Sequence, residues 1–272
     1  MIVQELQCAK DARGGQPEKP AMLDYLVLVL AAFLAGILNT IAGGGTFLTF
    51  PALVYAGVPP VSANATSAVA VFPGYLGGAA GFQRELRSFE SGSLFKVIAV
   101  SGIGGLMGSL LLLMSSNEAF SAIVPFLLLM ATLVFAFSDK IQAWARENRL
   151  GVQPNGSIGV LLVSIYGGYF NGGLGIVLLA LFSLWGMKDI HTMNGLKNGL
   201  SFVLSAISVA TFAVAGIVVW PQALAMMLAA IVGGYLGAPI ARALPVNVVR
   251  GLVIGVGAAM SAIFFVRFIS GG

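Results

Sequence analysis

Apolar residues run in long blocks, broken by short polar stretches, over most of the chain. The blocks lie at about 23–41, 45–57, 66–82, 94–114, 119–137, 157–171, 174–186, 195–217, 220–241 and 247–268. Eight of them are about 15–23 residues long, the scale of a helix that crosses a bilayer. Two, 45–57 and 174–186, have only 13 residues. As helices these reach about 20 Å, short of a hydrocarbon core of roughly 30 Å. Both follow a glycine cluster, which predicts half-helices or re-entrant segments. Unwound backbone at membrane depth is tolerated only inside protein or against a water-filled cavity. The pattern predicts an all-α polytopic membrane protein with about eight full spans and two short segments.

The pattern also repeats. Residues 36–137 and 167–266 match at an offset of about 129–132. Gly43-Gly44-Gly45-Thr46 is answered by Gly172-Gly173-Leu174-Gly175, and Gly57 by Gly186. Asn64-Ala65-Thr66-Ser67 is answered by Asn194-Gly195-Leu196-Lys197, and the Gly104-Gly105-x-x-Gly108 motif by Gly233-Gly234-x-x-Gly237. The expected organisation is a polar tail over 1–22, a first transmembrane repeat over 23–137, an inter-repeat loop over 138–156 and a second repeat over 157–272. The tail has no apolar stretch ahead of Leu23, so it does not read as a cleavable signal peptide. A duplicated unit with helix breaks at matching places is the mark of a secondary transporter, with its substrate where the breaks meet.

Composition reinforces the solvent assignment. Hydrophobic residues make up 58% and charged residues 9%, against roughly 25% charged in soluble domains. Charge then sets the orientation. The 83–93 loop carries Arg84 and Arg87, the 138–156 loop Lys140, Arg146 and Arg149, and the 241–250 loop Arg242 and Arg250, whereas the turns at 115–118 and 217–220 carry no basic residue. The positive-inside rule places the three basic loops in the cytoplasm. Alternation of these loops favours inverted halves, while a count of four spans per half gives a parallel repeat. Both arrangements stay open. The single cysteine, Cys8, excludes a disulfide framework and a cysteine metal site.

Several spaced motifs resemble the TauE/SafE family of sulfite exporters. They are Gly36-Ile37-Leu38-Asn39 through Gly43-Gly44-Gly45-Thr46, Pro51, Gly57-Val58-Pro59-Pro60 and Ala63-Asn64-Ala65-Thr66-Ser67 in the first half, and Asn194-Gly195-Leu196-Lys197-Asn198 in the second. The resemblance spans about 25–268. It implies a carrier of sulfur-containing anions, such as sulfite, sulfoacetate or other organosulfonates, in a bacterial-type inner membrane. Many members have Gly-Thr-Asn where this chain has Ala65-Thr66-Ser67, and that departure bears on substrate more than on fold.

The residues point to an anion independently. None of the ten acidic residues sits in the interior of an apolar block, so no buried carboxylate is at hand to hold a cation or relay protons. Lys197 lies near the start of an apolar block, and an intramembrane cation lines a pathway, meets a counter-charge or snorkels to the surface. Glycine clusters ahead of helices leave backbone N–H groups and the positive helix end open to an anion. The candidate substrate-binding set is Asn39, Gly43, Gly44, Gly45, Thr46, Asn64, Thr66, Ser67, Asn171, Gly173, Gly175, Asn194, Lys197 and Asn198. For Asn39 and Asn171 a purely structural hydrogen bond is the competing reading. The Gly-Gly-x-x-Gly motifs read as helix-packing sites, and His191 reads as a solvated loop residue. No cofactor, metal or nucleic acid is implied. The expected partners are a small anion and the lipid bilayer, and a homo-oligomer stays open. One histidine gives no two-histidine metal motif, and no Gly-x-x-x-x-Gly-Lys-Ser/Thr phosphate loop is present. An enzyme is therefore not expected. A passive anion channel and a non-transporting assembly subunit are the remaining alternatives to a carrier.

Overall fold

The computed structural model describes residues 22–41, 44–81, 91–137, 140–141, 143–144, 147, 156–187, 190–243 and 246–270. Ten long helices account for nearly all of them: α1 (Met22–Ile41), α2 (Thr46–Tyr55), α3 (Pro60–Gly81), α4 (Ser91–Met114), α5 (Asn117–Ala136), α6 (Ser157–Tyr169), α7 (Leu174–Leu184), α8 (Ile190–Val214), α9 (Trp220–Ala243) and α10 (Val246–Ser270). Each apolar block falls on one helix. Four of them, α1, α4, α5 and α8, contain a stretch long and apolar enough to cross a bilayer. The two blocks expected to be short are short, with 10 residues in α2 and 11 in α7. A third short helix was not expected. The 157–171 block forms only the 13 residues of α6, about 20 Å, because Phe170 turns the backbone extended at φ −144°, ψ 100°.

Two helices start earlier than the apolar pattern suggests. α3 begins at Pro60 rather than near 66, and α8 at Ile190 rather than 195. Proline suits the first helical position, since its missing N–H has no partner there in any case. The polar motifs of both halves, 64–67 and 194–197, therefore lie inside helices. The basic residues Arg84, Arg87, Arg146 and Arg149, which carry the orientation reading, lie outside the described residues, as does Gly43.

The helices pack in an exchanged pattern. α1 lies along α9 and α6 along α4. α3 meets α8, α5 meets α10, and α3 touches α9 as α8 touches α4. Counting five helices to a half, each of these contacts is either between equivalents or has its counterpart. The tightest crossings are built on glycine. A Cβ on Gly36 would stand 2.1 Å from the Ala230 carbonyl oxygen, and one on Gly233 2.0 Å from that of Phe33. At the α4–α6 crossing a Cβ on Gly108 would stand 2.2 Å from the Ile165 oxygen, and one on Gly168 2.4 Å from that of Gly105. No side chain fits at these points, so backbones approach as in small-residue membrane interfaces. The short helices α2 and α7 also end alike. Gly57 and Gly186 both have φ +79°, and each closes its helix with the next residue donating back five positions, Val58 to Leu53 and Met187 to Phe182. This is the left-handed glycine cap.

The exterior is apolar where a soluble protein's is polar, and the largely apolar interior holds a set of buried polar side chains. Leu26, Leu30 and Leu34 of α1, Leu106 and Leu110 of α4, Phe126 and Leu133 of α5 and Leu224 and Leu228 of α9 are exposed. Thr46, Thr49, Asn64, Thr66, Ser67, Ser101, Ser164, Asn171 and Lys197 are buried. An apolar exterior of this extent fits a bilayer. Inside, Phe50 of α2 joins Phe120, Phe170 and Phe264 at centroid distances of 5.6–6.1 Å, tying α2, α5, the end of α6 and α10 together.

Candidate functional site at the helix breaks

The first break lies between α1 and α2. Gly44 is non-helical, and Asn39, on the last turns of α1, reaches across with its Oδ1 to accept the Gly45 N–H at 2.8 Å. A Cβ on Gly45 would meet the Ala35 carbonyl oxygen at 2.8 Å, so the chain folds back against α1 only because glycine stands there. Thr49 and Ser67 share a buried hydroxyl–hydroxyl hydrogen bond of 2.6 Å, which fastens α2 to α3.

The second break runs from Phe170 to Gly173. Gly173 has φ +72°, a left-handed conformation that glycine adopts without a Cβ penalty. Three side chains hold this stretch. Tyr166 donates its hydroxyl to the Gly172 carbonyl. Asn64 donates Nδ2 to the Tyr169 carbonyl at 2.9 Å. Tyr75 donates its hydroxyl to Asn171 Oδ1 at 3.4 Å. Neither α2 nor α7 has a side-chain cap at its start. Much of each start is already bonded, with the Gly45 N–H given to Asn39 and those of Phe47, Leu48, Leu174 and Ile176 to backbone carbonyls, so what both starts present is chiefly the positive end of the dipole.

The two breaks meet. A Cβ on Gly173 would lie 3.4 Å from the ring of Phe47, in the first turn of α2. Thr46, Gly45, Gly44, Gly173 and Gly175 are all buried at this junction of helix starts. The carbonyl oxygens of the Asn39 and Asn171 side chains are engaged, which leaves their amide nitrogens as donors. Thr66 is used elsewhere: its Oγ1 accepts the Val219 N–H at 3.0 Å, at the foot of α9.

Lys197 lies in α8 with 5% of its surface exposed. No described residue gives it a hydrogen bond or a charged partner. No described aspartate or glutamate is buried. Asn198 is half-buried beside it, and Asn194 lies in the first turns of α8 with its side chain outside the described set. No hydrogen bond joins Lys197 or Asn198 to the described residues of the breaks, although α8 packs against α7. Sequence reasoning passed over Thr49, Tyr75 and Tyr166, because a hydroxyl in an apolar block has no spacing signature of its own. It also passed over Ser201, Ser205 and Ser208, whose spacing was legible.

Comparison with known proteins agrees with this architecture. The chain is 27% identical to a probable membrane transporter protein of Haemophilus influenzae over 237 residues, 87% of this chain and 92% of the relative. It is 28% identical to the probable membrane transporter protein YfcA of Escherichia coli K12 over 247 residues, 87% of each chain. A probable membrane transporter protein of Sinorhizobium, ORF9, is 27% identical over 86% of this chain and 89% of its own length. No solved structure matches. The sulfite exporter TauE/SafE family matches residues 28–264, nearly all of the helical body, and the chain belongs to that family of membrane transporters.

Proposed function

We propose that this protein is a secondary carrier of a small sulfur-containing anion, such as sulfite, sulfoacetate or a related organosulfonate, in a bacterial-type inner membrane. The observation that carries the reading is Lys197, a buried cation without a counter-charge in an interior whose described residues include no buried carboxylate. A lone charge at membrane depth is costly and marks a substrate pathway or a missing partner. An anionic substrate is that partner. The positive dipole ends of α2 and α7 also favour an anion, and the Asn39 and Asn171 amides are neutral donors. The substrate named in the family's description, sulfite, has the same acceptor chemistry.

The two halves are read as copies of one five-helix unit, in support of which stand the exchanged packing and the matched caps at Gly57 and Gly186. Such units rock against each other about a central site in many carriers. Reconstituted liposomes test the reading. Vesicles preloaded with unlabelled sulfite or sulfoacetate should draw in labelled anion by saturable counterflow. Flux that never saturates would instead favour a passive channel. No movement of any sulfur oxyanion would overturn the proposal.

A further inference from the structure

Lys197 heads a row of polar residues on α8. Ser201, Ser205 and Ser208 follow it at intervals of four, four and three residues. At 3.6 residues per turn the four side chains share one face, within an arc of about 80°. All are buried, the serines with 3% or less of their surface exposed. The three serine hydroxyls have no hydrogen-bond partner among the described residues.

Among the described residues that absence sets them apart from the other fully buried serine and threonine hydroxyls, though Asn64 Oδ1, Trp185 Nε1 and Gln222 Oε1 are also buried without a partner. A helical serine or threonine can donate to the carbonyl four residues back. Thr132, Ser183 and Thr211 all do so here, at 2.7–2.9 Å. Thr211 lies on the same helix one turn further on. Ser201, Ser205 and Ser208 make no such bond. Buried polar groups without partners are rare and call for an explanation. The flanks of the row show where it points. Phe202, on one side, stacks on Phe72 of α3 at 5.2 Å. Leu204, on the other, lies 3.2 Å from where a Cβ on Gly105 of α4 would stand. The row thus lies along the seam between α3 and α4.

We propose that this face of α8 is the conduit along which the anion moves, a deepening that rests on the anion-carrier reading above. Lys197 receives the oxyanion, and the hydroxyls of Ser201, Ser205 and Ser208 then replace its water as donors. Eleven residues separate Lys197 from Ser208, a rise of about 16 Å, which is roughly half of the hydrocarbon core. Neutral donors in series suit passage, because an ion must be held well enough to enter and weakly enough to leave. The row is closed to solvent in this structure. It opens when α8 moves from the seam.

Single cysteines report on this directly. Ser201→Cys, Ser205→Cys and Ser208→Cys, each with Cys8→Ser, change the shape of the side chain little. Val203→Cys and Ala210→Cys, on the far side of α8, are the controls. The protein in lipid vesicles is treated with an anionic thiol reagent, methanethiosulfonate ethylsulfonate, and with its trimethylammonium counterpart. Each rate is divided by that with a free thiol in water. The three row positions should favour the anionic reagent at least tenfold, sulfoacetate should slow them, and the controls should stay inert. Row positions no more reactive than the controls, or with no preference for the anion, overturn the conduit. Labelling needs no transport, so the two readings fail separately. Sulfoacetate counterflow without labelling sinks the conduit alone. Charge-selective labelling without counterflow supports the conduit and sinks the carrier.

Discussion

In α3, Asn64 donates to the Tyr169 carbonyl, Ser67 bonds Thr49, and Tyr75 donates to Asn171. In α8, which packs against it, Lys197, Ser201 and Ser205 have no polar partner among the described residues. At an offset of 130 these are equivalent pairs: Ser67 with Lys197, and Tyr75 with Ser205. The two helices match by position along the chain and differ in what these polar groups are tied to. A helix bonded to its neighbours is held in register by them. Unpartnered side chains such as Lys197, Ser201 and Ser205 break no hydrogen bond of their own when the helix shifts, and they have donors to give to something else. If the halves are copies of one unit, as proposed above, one copy of the element fastens the helix break and the other has donors to offer a ligand.

The largest effect should come from the free side. Lys197→Gln should weaken binding of sulfite or sulfoacetate at least tenfold, about 1.4 kcal/mol, without lowering the melting temperature, since no ion pair is broken. Equilibrium binding and a thermal melt on the same preparation measure both. Binding within about twofold of the parent would remove the lysine from the site. On the fastened side, Asn64→Leu leaves the Tyr169 carbonyl unpaired and should cost about 1–3 kcal/mol of stability, read as a lower melting temperature. Unchanged melting would mean that the second break needs no brace.

Smaller effects sharpen the contrast. Ser67→Ala should cost about 1 kcal/mol, because Thr49 retains a longer bond of 3.3 Å to the Gly45 carbonyl. The smallest difference is the most discriminating. Tyr75→Phe should lower the melting temperature slightly, and Ser205→Ala should leave it unchanged or raise it, since removing an unpartnered buried hydroxyl relieves a desolvation cost. Equal losses from the two would show that α3 and α8 are bonded alike.

Much of the fold was legible because glycine is specific about its reasons. The Gly-Gly-x-x-Gly motifs, read as packing sites, do lie at backbone-to-backbone crossings. Gly57 and Gly186, matched only by position, share a dihedral angle. Helix ends were less legible. α3 and α8 began a turn or more ahead of their apolar blocks, because Pro60, Ser62 and Asn64 in one and His191, Thr192 and Asn194 in the other look like connection residues. Phe170 gave no sign that α6 would stop, since a phenylalanine suits an apolar helix as well as an extended turn. The site was legible as a set of places but not of bonds. A structural hydrogen bond was the competing reading for Asn39 and Asn171, and each accepts one, from the Gly45 N–H and the Tyr75 hydroxyl, partners that could only come from the fold. The serine row on α8 was visible in principle at intervals of four, four and three. Hydropathy averaging over a block hides such a row, because the apolar residues between the serines carry the mean.

The glycine crossings have a consequence for how the protein is made. α1 lies along α9 and α4 along α6, so both tight crossings join a helix from the first half to one from the second. The chain emerges from the ribosome N-terminus first. α1 and α4 therefore enter the membrane with the faces around Gly36 and Gly104 bare to lipid, and stay so until α6 and α9 have been synthesised. Neither half can complete its own packing, and assembly waits on the last third of the polypeptide. A ribosome that stalls within α9 leaves behind an inserted but unclosed bundle, the kind of intermediate that membrane quality control can recognise by its unfilled grooves.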